Sequence, residues 1–221
     1  MSLTDFDHIE TWVFDLDNTI YPARFNLFDQ VDKRIGAFIA RLLDIDAGEA
    51  RRIQKQYFRD HGTTLSGLMH HHDIDPHDFL GFVHEIDLAC IPPSPGLDQS
   101  LERLPGAKVI FTNGSTGHAE NVLARLGVAE HFSGIFAITD ADFIPKPQAA
   151  PYAAMVERFG IDPRGAVMVE DMARNLAPAA ALGMTTVWVR NDTVWGAEGS
   201  ADDYVHHIID DVADWLKVLV G

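Results

Sequence analysis

Thr11-Trp12-Val13-Phe14-Asp15-Leu16-Asp17-Asn18-Thr19 is the stretch on which the fold turns. A short apolar run rich in β-formers ends abruptly in an acidic, turn-prone segment, which predicts a buried first strand followed by a loop. Runs of the same kind recur at Lys108-Val109-Ile110-Phe111, Gly134-Ile135-Phe136-Ala137-Ile138, Ala166-Val167-Met168-Val169 and Thr185-Thr186-Val187-Trp188-Val189. Each is continuous rather than alternating, as expected of a strand covered on both faces. Between the runs lie helical patterns from His118 to Leu126, Pro151 to Phe159 and Met172 to Leu182, stopped by Gly127, Gly160 and Gly183. Strand and helix therefore alternate, which predicts an α/β fold with a doubly wound parallel sheet.

From Tyr21 to about Ile91 no convincing strand is present. Phe28, Val31, Ile35, Phe38, Ile39 and Leu42 follow helical spacing, as do Phe79, Phe82, Val83 and Ile86 in a helix opened by Asp75-Pro76. Pro92-Pro93-Ser94-Pro95-Gly96 then punctuates the return to the body. Residues 1–20 and 93–221 are expected to form the α/β body, and residues 21–92 an all-helical insertion.

The chain has 221 residues with 17 Lys+Arg against 33 Asp+Glu, a formal charge of −16. This excess of acid argues against nucleic acid as a partner, because a binder must set clustered Lys and Arg against phosphates. A single cysteine, Cys90, excludes an intrachain disulfide and a Cys-built metal cluster, so a reducing cytoplasm is expected. Met1 to Glu10 lack the greasy middle of a secretory leader, and Leu176 to Val189, broken by Pro178 and Gly183, falls short of a membrane span.

Asp-x-Asp spacing alone is no evidence of a site, since it also occurs at Asp5/Asp7, Asp44/Asp46, Asp73/Asp75 and Asp140/Asp142. Asp15 and Asp17 differ in following a buried strand, at the carboxyl edge where open parallel sheets bind ligands. Thr112-Asn113-Gly114 follows the second body strand and supplies a hydroxyl and turn amides that suit a phosphate. Lys146, between Pro145 and Pro147, has a narrowed backbone that aims one ammonium. Glu170-Asp171, with Asn175 further on, ends another strand, where Asp171 would also suit a helix N-cap. Together these loops bring four carboxylates and one lysine to one rim. Such a site repels anions until a hard divalent cation joins it, and oxygen donors without His or Cys suit Mg²⁺.

Phe14-Asp15-Leu16-Asp17-Asn18-Thr19, the Thr112 loop, Lys146 and Glu170-Asp171 resemble, in order and spacing, the four motifs of the haloacid dehalogenase superfamily, and the helical insertion is similar to its mobile helical cap. Asp15-Leu16-Asp17-Asn18-Thr19-Ile20-Tyr21-Pro22, Gly62-Thr63-Thr64-Leu65-Ser66-Gly67-Leu68 and Glu170-Asp171-Met172-Ala173-Arg174-Asn175-Leu176 further resemble the pyrimidine 5′-nucleotidase branch. Asn113-Gly114-Ser115 departs from that branch's Asn-Ala pairing. The resemblance implies a Mg²⁺-dependent phosphomonoester hydrolase of small phosphorylated metabolites, pyrimidine nucleoside 5′-monophosphates foremost. It implies Asp15 as nucleophile and metal ligand, and Asp17 as general acid and base with its backbone carbonyl on the metal. Thr112 and the Asn113 amide would hold phosphoryl oxygens, and Lys146 would offset charge on Asp15 and the phosphoryl group. Asp171 would complete the metal shell, supported by Glu170 and Asn175.

Phosphoglycolate or sugar phosphates are the other substrates such a site would serve, by hydrolysis or by phosphomutase chemistry, and a phosphate-responsive regulatory module shares its acidic logic. The His70-His71-His72 run reads as a solvated helix end, since consecutive side chains diverge around a helix. Cys90 reads as a buried structural thiol.

Overall fold

The computed structural model describes residues 6–191, 193 and 195–221. The first five residues of the stretch read for a leader, and with them Asp5, lie outside the described residues. The strands are β1 (Thr11–Phe14), β2 (Ala107–Phe111), β3 (Gly134–Phe136), β4 (Ala166–Glu170), β5 (Thr185–Val189) and β6 (His207–Ile209). They form one six-stranded sheet in the order β3-β2-β1-β4-β5-β6, and every neighbouring pair is parallel. The predicted doubly wound sheet is therefore present.

Both faces of the sheet are buried, which explains the unbroken apolar runs. Trp12 and Phe14 point into one core with Ile110, Val167, Val169 and Val187, closed by α5 (Pro95–Arg103), α6 (Thr116–Leu126) and α9 (Val212–Leu219). Val13, Val109, Phe111 and Met168 point into the other, closed by α7 (Ala149–Phe159) and α8 (Ala177–Leu182). This is the period of two along a strand, with an apolar layer above and below.

Between β1 and β2 the chain forms α1 (Leu27–Leu43), α2 (Ala47–His61), α3 (Thr64–His72) and α4 (Pro76–Val83). They share a core of their own, in which Phe38, Ile39, Leu68, Phe79 and Leu80 are buried together with Ile138 from the body. Acids of the Asp44/Asp46, Asp73/Asp75 and Asp140/Asp142 pairs have structural work. Asp46 and Asp75 cap the N-termini of α2 and α4, and Asp44 and Asp73 turn the chain out of α1 and α3 in the left-handed region. Asp140 accepts a hydrogen bond from the Ala137 amide at 2.8 Å.

Three expectations need correction. β3 stops at Phe136, and Ile138–Ala141 wind into a 3-10 turn. The helix expected from Met172 begins as a 3-10 turn over Ala173–Leu176, and α8 follows with Pro178 in its first turn, where a missing N–H costs nothing. Cys90 is exposed, because it ends a surface 3-10 turn rather than a core element. Among the described residues no helix is long and apolar enough to cross a membrane.

Candidate active site

From β1 the chain crosses to β2 and β3 on one side, then returns to place β4 on the other. The sheet order thus reverses between β1 and β4. At such a switch point the loops leaving adjacent strands diverge and open a crevice at the carboxyl edge. β1 delivers Asp15 there and β4 delivers Glu170 and Asp171. The Asp15 amide donates to the Val169 carbonyl at 2.9 Å, so the parallel ladder itself fixes where Asp15 leaves the sheet. The loop then wraps on itself. Thr19 and Ile20 amides donate to Leu16 O at 3.3 and 3.1 Å, and Asn18 takes a left-handed φ of 62°.

Lys146 reaches this crevice from beyond β3. Its Nζ donates to Asp15 Oδ1 at 2.8 Å, to Glu170 Oε2 at 2.6 Å and to Phe111 O at 2.8 Å. An ammonium has three protons, and all three are used. The Lys146 backbone is held from β2: its N–H donates to Asn113 Oδ1 at 2.9 Å, and Asn113 Nδ2 donates to its carbonyl at 3.4 Å. The Asn113 side chain therefore pins two loops together, which leaves its backbone N–H as the group available to an anion. Thr112 is buried, and its Oγ1 accepts from the Gly114 amide at 2.9 Å, so its hydroxyl proton remains to be donated elsewhere.

Carboxylate oxygens of Asp15, Glu170 and Asp171 all lie within 4.8 Å of one another, in a buried setting. Burial, then the Glu170 charge, pushes Asp15 up to about 7, although Lys146 pulls it down. Burial, then Glu170 and Asp15, raises Asp171 well above the usual carboxylate range. Two buried acids that resist ionisation together, beside a third, are the electrostatic signature of a place for a hard cation. Asn175 Oδ1 is also buried, without a hydrogen-bond partner among the described residues. The donor set fits Mg²⁺. Both oxygens of Glu170 are engaged, Oε2 by Lys146 and Oε1 by the Met172 amide at 3.2 Å, so Glu170 braces the cluster.

Asp17 stands apart from that cluster. Its Oδ1 accepts from Tyr21 OH at 2.6 Å and is 2.8 Å from His118 Nε2. Burial pushes its pKa up, yet the His118 charge and hydrogen bond, with the Tyr21 hydroxyl, bring it below the usual range. Burial lowers His118, but Asp17 more than offsets this and raises it. The stacked His84 is held down at about 4 by burial and by the neighbouring His118.

Of the residues expected at the site, Asp15, Lys146, Glu170 and Asp171 meet at the switch point, with Asn175 buried on the turn after β4. Thr112 and Asn113 border it from β2, and the Asp17 carboxyl faces His118 instead. Sequence reasoning missed Thr19, Tyr21, His118 and Asn191. Thr19 Oγ1 donates to Asp15 Oδ2 at 2.8 Å, and Asn191 Nδ2 donates to the Asp171 carbonyl at 2.9 Å. Thr19 and Tyr21 each lie four residues beyond the acid they bond, a spacing that a tight turn after the strand would have suggested. His118 and Asn191 have no local signal.

Fold and site define a doubly wound α/β protein with a carboxylate-built centre at its switch point. A family profile of haloacid dehalogenase-like hydrolases matches residues 9–183, and the chain belongs to that family. Phosphate metabolism protein 8 of Saccharomyces cerevisiae is 25% identical over 193 residues, 79% of this chain and 60% of that protein. The chain thus spans less than two thirds of the length of this curated relative. Among solved structures, a HAD phosphatase from Thermococcus onnurineus aligns with a TM-score of 0.63 at 20% identity, covering 95% of this chain and 97% of that one. L-2-haloacid dehalogenase from Xanthobacter autotrophicus aligns at 0.58 and 16% identity, covering 95% and 98%. These two likenesses show the fold.

Proposed function

We propose that the protein is a Mg²⁺-dependent hydrolase of small phosphomonoesters that works through an aspartyl phosphate on Asp15, with α1–α4 as a cap over the body. The observation that carries this reading is the Asp17 carboxyl, held in place next to the nucleophile's loop by Tyr21 and His118. A halide departs without a proton, so a second acid here serves a reaction whose leaving group is an oxygen. Pyrimidine nucleoside 5′-monophosphates are the favoured substrates, on the motif resemblance alone.

Asp15 and Asp171, with the Asp17 backbone carbonyl, would hold the Mg²⁺, whose chemistry is to neutralise these acids and polarise the phosphoryl oxygens. Asp15 attacks phosphorus while the ester P–O bond breaks, and Asp17, having taken up a proton as the substrate binds, gives it to the departing oxygen. Water then attacks phosphorus, Asp17 takes its proton, and the bond to Asp15 breaks to restore the carboxylate. Thr112 Oγ1 and the Asn113 N–H bind phosphoryl oxygens in both steps, and Lys146 holds Asp15 oriented and offsets charge.

The test is phosphate release in Mg²⁺ from a chromogenic ester and from a panel of nucleoside monophosphates, sugar phosphates and phosphoglycolate. Asp15→Asn is expected to abolish release and chelator to stop it reversibly. Turnover of a haloacid with no phosphate ester accepted would overturn the reading, as would full activity of Asp15→Asn.

A further inference from the structure

His118 sits in the first turn of α6, four residues beyond Gly114 but 101 residues from Asp17, and only 3% of it is exposed. Its Nε2 lies 2.8 Å from Asp17 Oδ1, the same oxygen that accepts the Tyr21 hydroxyl at 2.6 Å. Two donors on one carboxylate oxygen fix the plane of the group and leave Oδ2 as the oxygen free to carry a proton. Oδ2 faces the phosphate-side loop, since a methyl group built on Gly114 would lie 3.7 Å from it. The imidazole is itself held. The Ser115 hydroxyl caps α6 by accepting the His118 amide at 3.3 Å and lies 2.9 Å from His84 Nδ1. The His84 ring stacks on the His118 ring, with centroids 4.3 Å apart and planes 7° from parallel. His84 caps the C-terminus of α4, so this wall comes from the helical layer, whereas Asp17 and His118 belong to the body and Tyr21, the first residue of the expected insertion, is buried in the body core.

We propose that His118 is a positioning residue for the Asp17 acid, and that His84 makes this positioning depend on the helical layer being seated on the body. The proposal rests on the phosphomonoesterase reading. It requires no change of charge on either ring: the hydrogen bond orients the carboxyl, and the stack orients the hydrogen bond.

An acid's contribution shows in its dependence on the leaving group, because a poor leaving group needs the proton and a good one does not. The experiment compares kcat/KM for an alkyl phosphate and for dinitrophenyl phosphate. His118→Leu is expected to slow the alkyl ester by about 10²-fold and the dinitrophenyl ester by less than about threefold, the lower range for an acid-base group. His118→Gln, which keeps a donor near the Nε2 position without an imidazole, should recover most of the loss. His84→Ala should slow the alkyl ester selectively and His84→Phe, which keeps a ring in the stack, should restore it. Thermal unfolding accompanies each variant. If His118→Leu does not fold, the decision falls to His118→Gln and the His84 pair.

Equal losses on both esters would mean a structural or binding role and would overturn the proposal. So would a His118→Gln variant that is as selective a loss as Leu, or His84→Ala without a leaving-group effect. These failures are distinct from failure of the functional reading: there the wild-type chain would release phosphate from no ester, or Asp15→Asn would remain active.

Discussion

Asp15 is held at once by an ammonium and by crowding with other acids, and the balance sets a measurable pH dependence. Its carboxyl is raised from 3.8 to about 7, because burial and Glu170 outweigh Lys146. A raised folded-state pKa means that the folded chain prefers the protonated acid. Its favourable contribution is complete below the unfolded value and is lost as pH rises through about 7, a difference on the order of 4 kcal/mol between the limits. Asparagine at this position does not titrate. In the absence of metal, the unfolding midpoint of Asp15→Asn relative to the wild type is therefore expected to climb between pH 5 and pH 8. Mg²⁺ needs the ionised acid, so its stabilisation of the wild type should grow over the same interval and be small for Asp15→Asn. Denaturation at several pH values, with and without Mg²⁺, measures both. A wild-type response to Mg²⁺ that is flat across this range would remove Asp15 from the metal site.

At the scale of elements, the loops rather than the strands carry the specificity of the site, and the Thr112–Gly114 turn shows it. Gly114 has no left-handed φ to maintain, so its glycine is explained by space. A methyl there would stand 3.2 Å from Thr112 Oγ1 and 3.3 Å from His118 Cδ2. Gly114→Ala is expected to push on the hydroxyl proposed to bind phosphate and on the imidazole proposed to orient Asp17, and to destabilise the fold by about 1–3 kcal/mol. Inhibition by inorganic phosphate should weaken about tenfold, and the unfolding midpoint should fall by about 2–12 °C. Unchanged phosphate inhibition would show that the turn does not touch the anion. Each of the five runs that predicted strands contributes a strand to the sheet, the third only as far as Phe136, because burial on both faces writes a continuous apolar signature that needs no partner to be read. β6 was not legible: His207-Ile208-Ile209 is an edge strand with Ile208 exposed, too short to show a pattern. Asp15, Lys146, Glu170 and Asp171 were legible because each ends a strand, directly follows one or lies between prolines. The pairing of His118 with Asp17 was not, since 101 residues separate them and only the β1–β2 parallel register and the seating of α6 bring them together.

For the whole molecule, the arrangement sets a local demand for anions against a global field that repels them. The formal charge is −16, while the substrate proposed is itself an anion. Lys146 cannot draw it in from solution, for its ammonium is buried and saturated by Asp15, Glu170 and a carbonyl. Arg174 stands at the junction of the two layers, its guanidinium 4.9 Å over the Phe58 ring of α2 and 3.6 Å from Glu198, so its charge is partly offset as well. The long-range field met by an approaching phosphate is then dominated by the acidic surface. Screening weakens this repulsion, since the Debye length falls from about 30 Å at 0.01 M to about 8 Å at 0.15 M ionic strength. With Mg²⁺ held at saturation, kcat/KM for a phosphomonoester dianion is expected to rise about two- to fivefold as monovalent salt increases across this range, with kcat nearly constant because the bound substrate is shielded from bulk ions. A fall in kcat/KM with salt would mean that positive charge at the mouth of the crevice outweighs the rest of the surface. Neutralising exposed acids of α1 and α2, such as Asp29→Asn and Asp60→Asn, separates the two accounts: under the field account it raises kcat/KM at low salt and flattens the salt dependence, and under local attraction it changes neither.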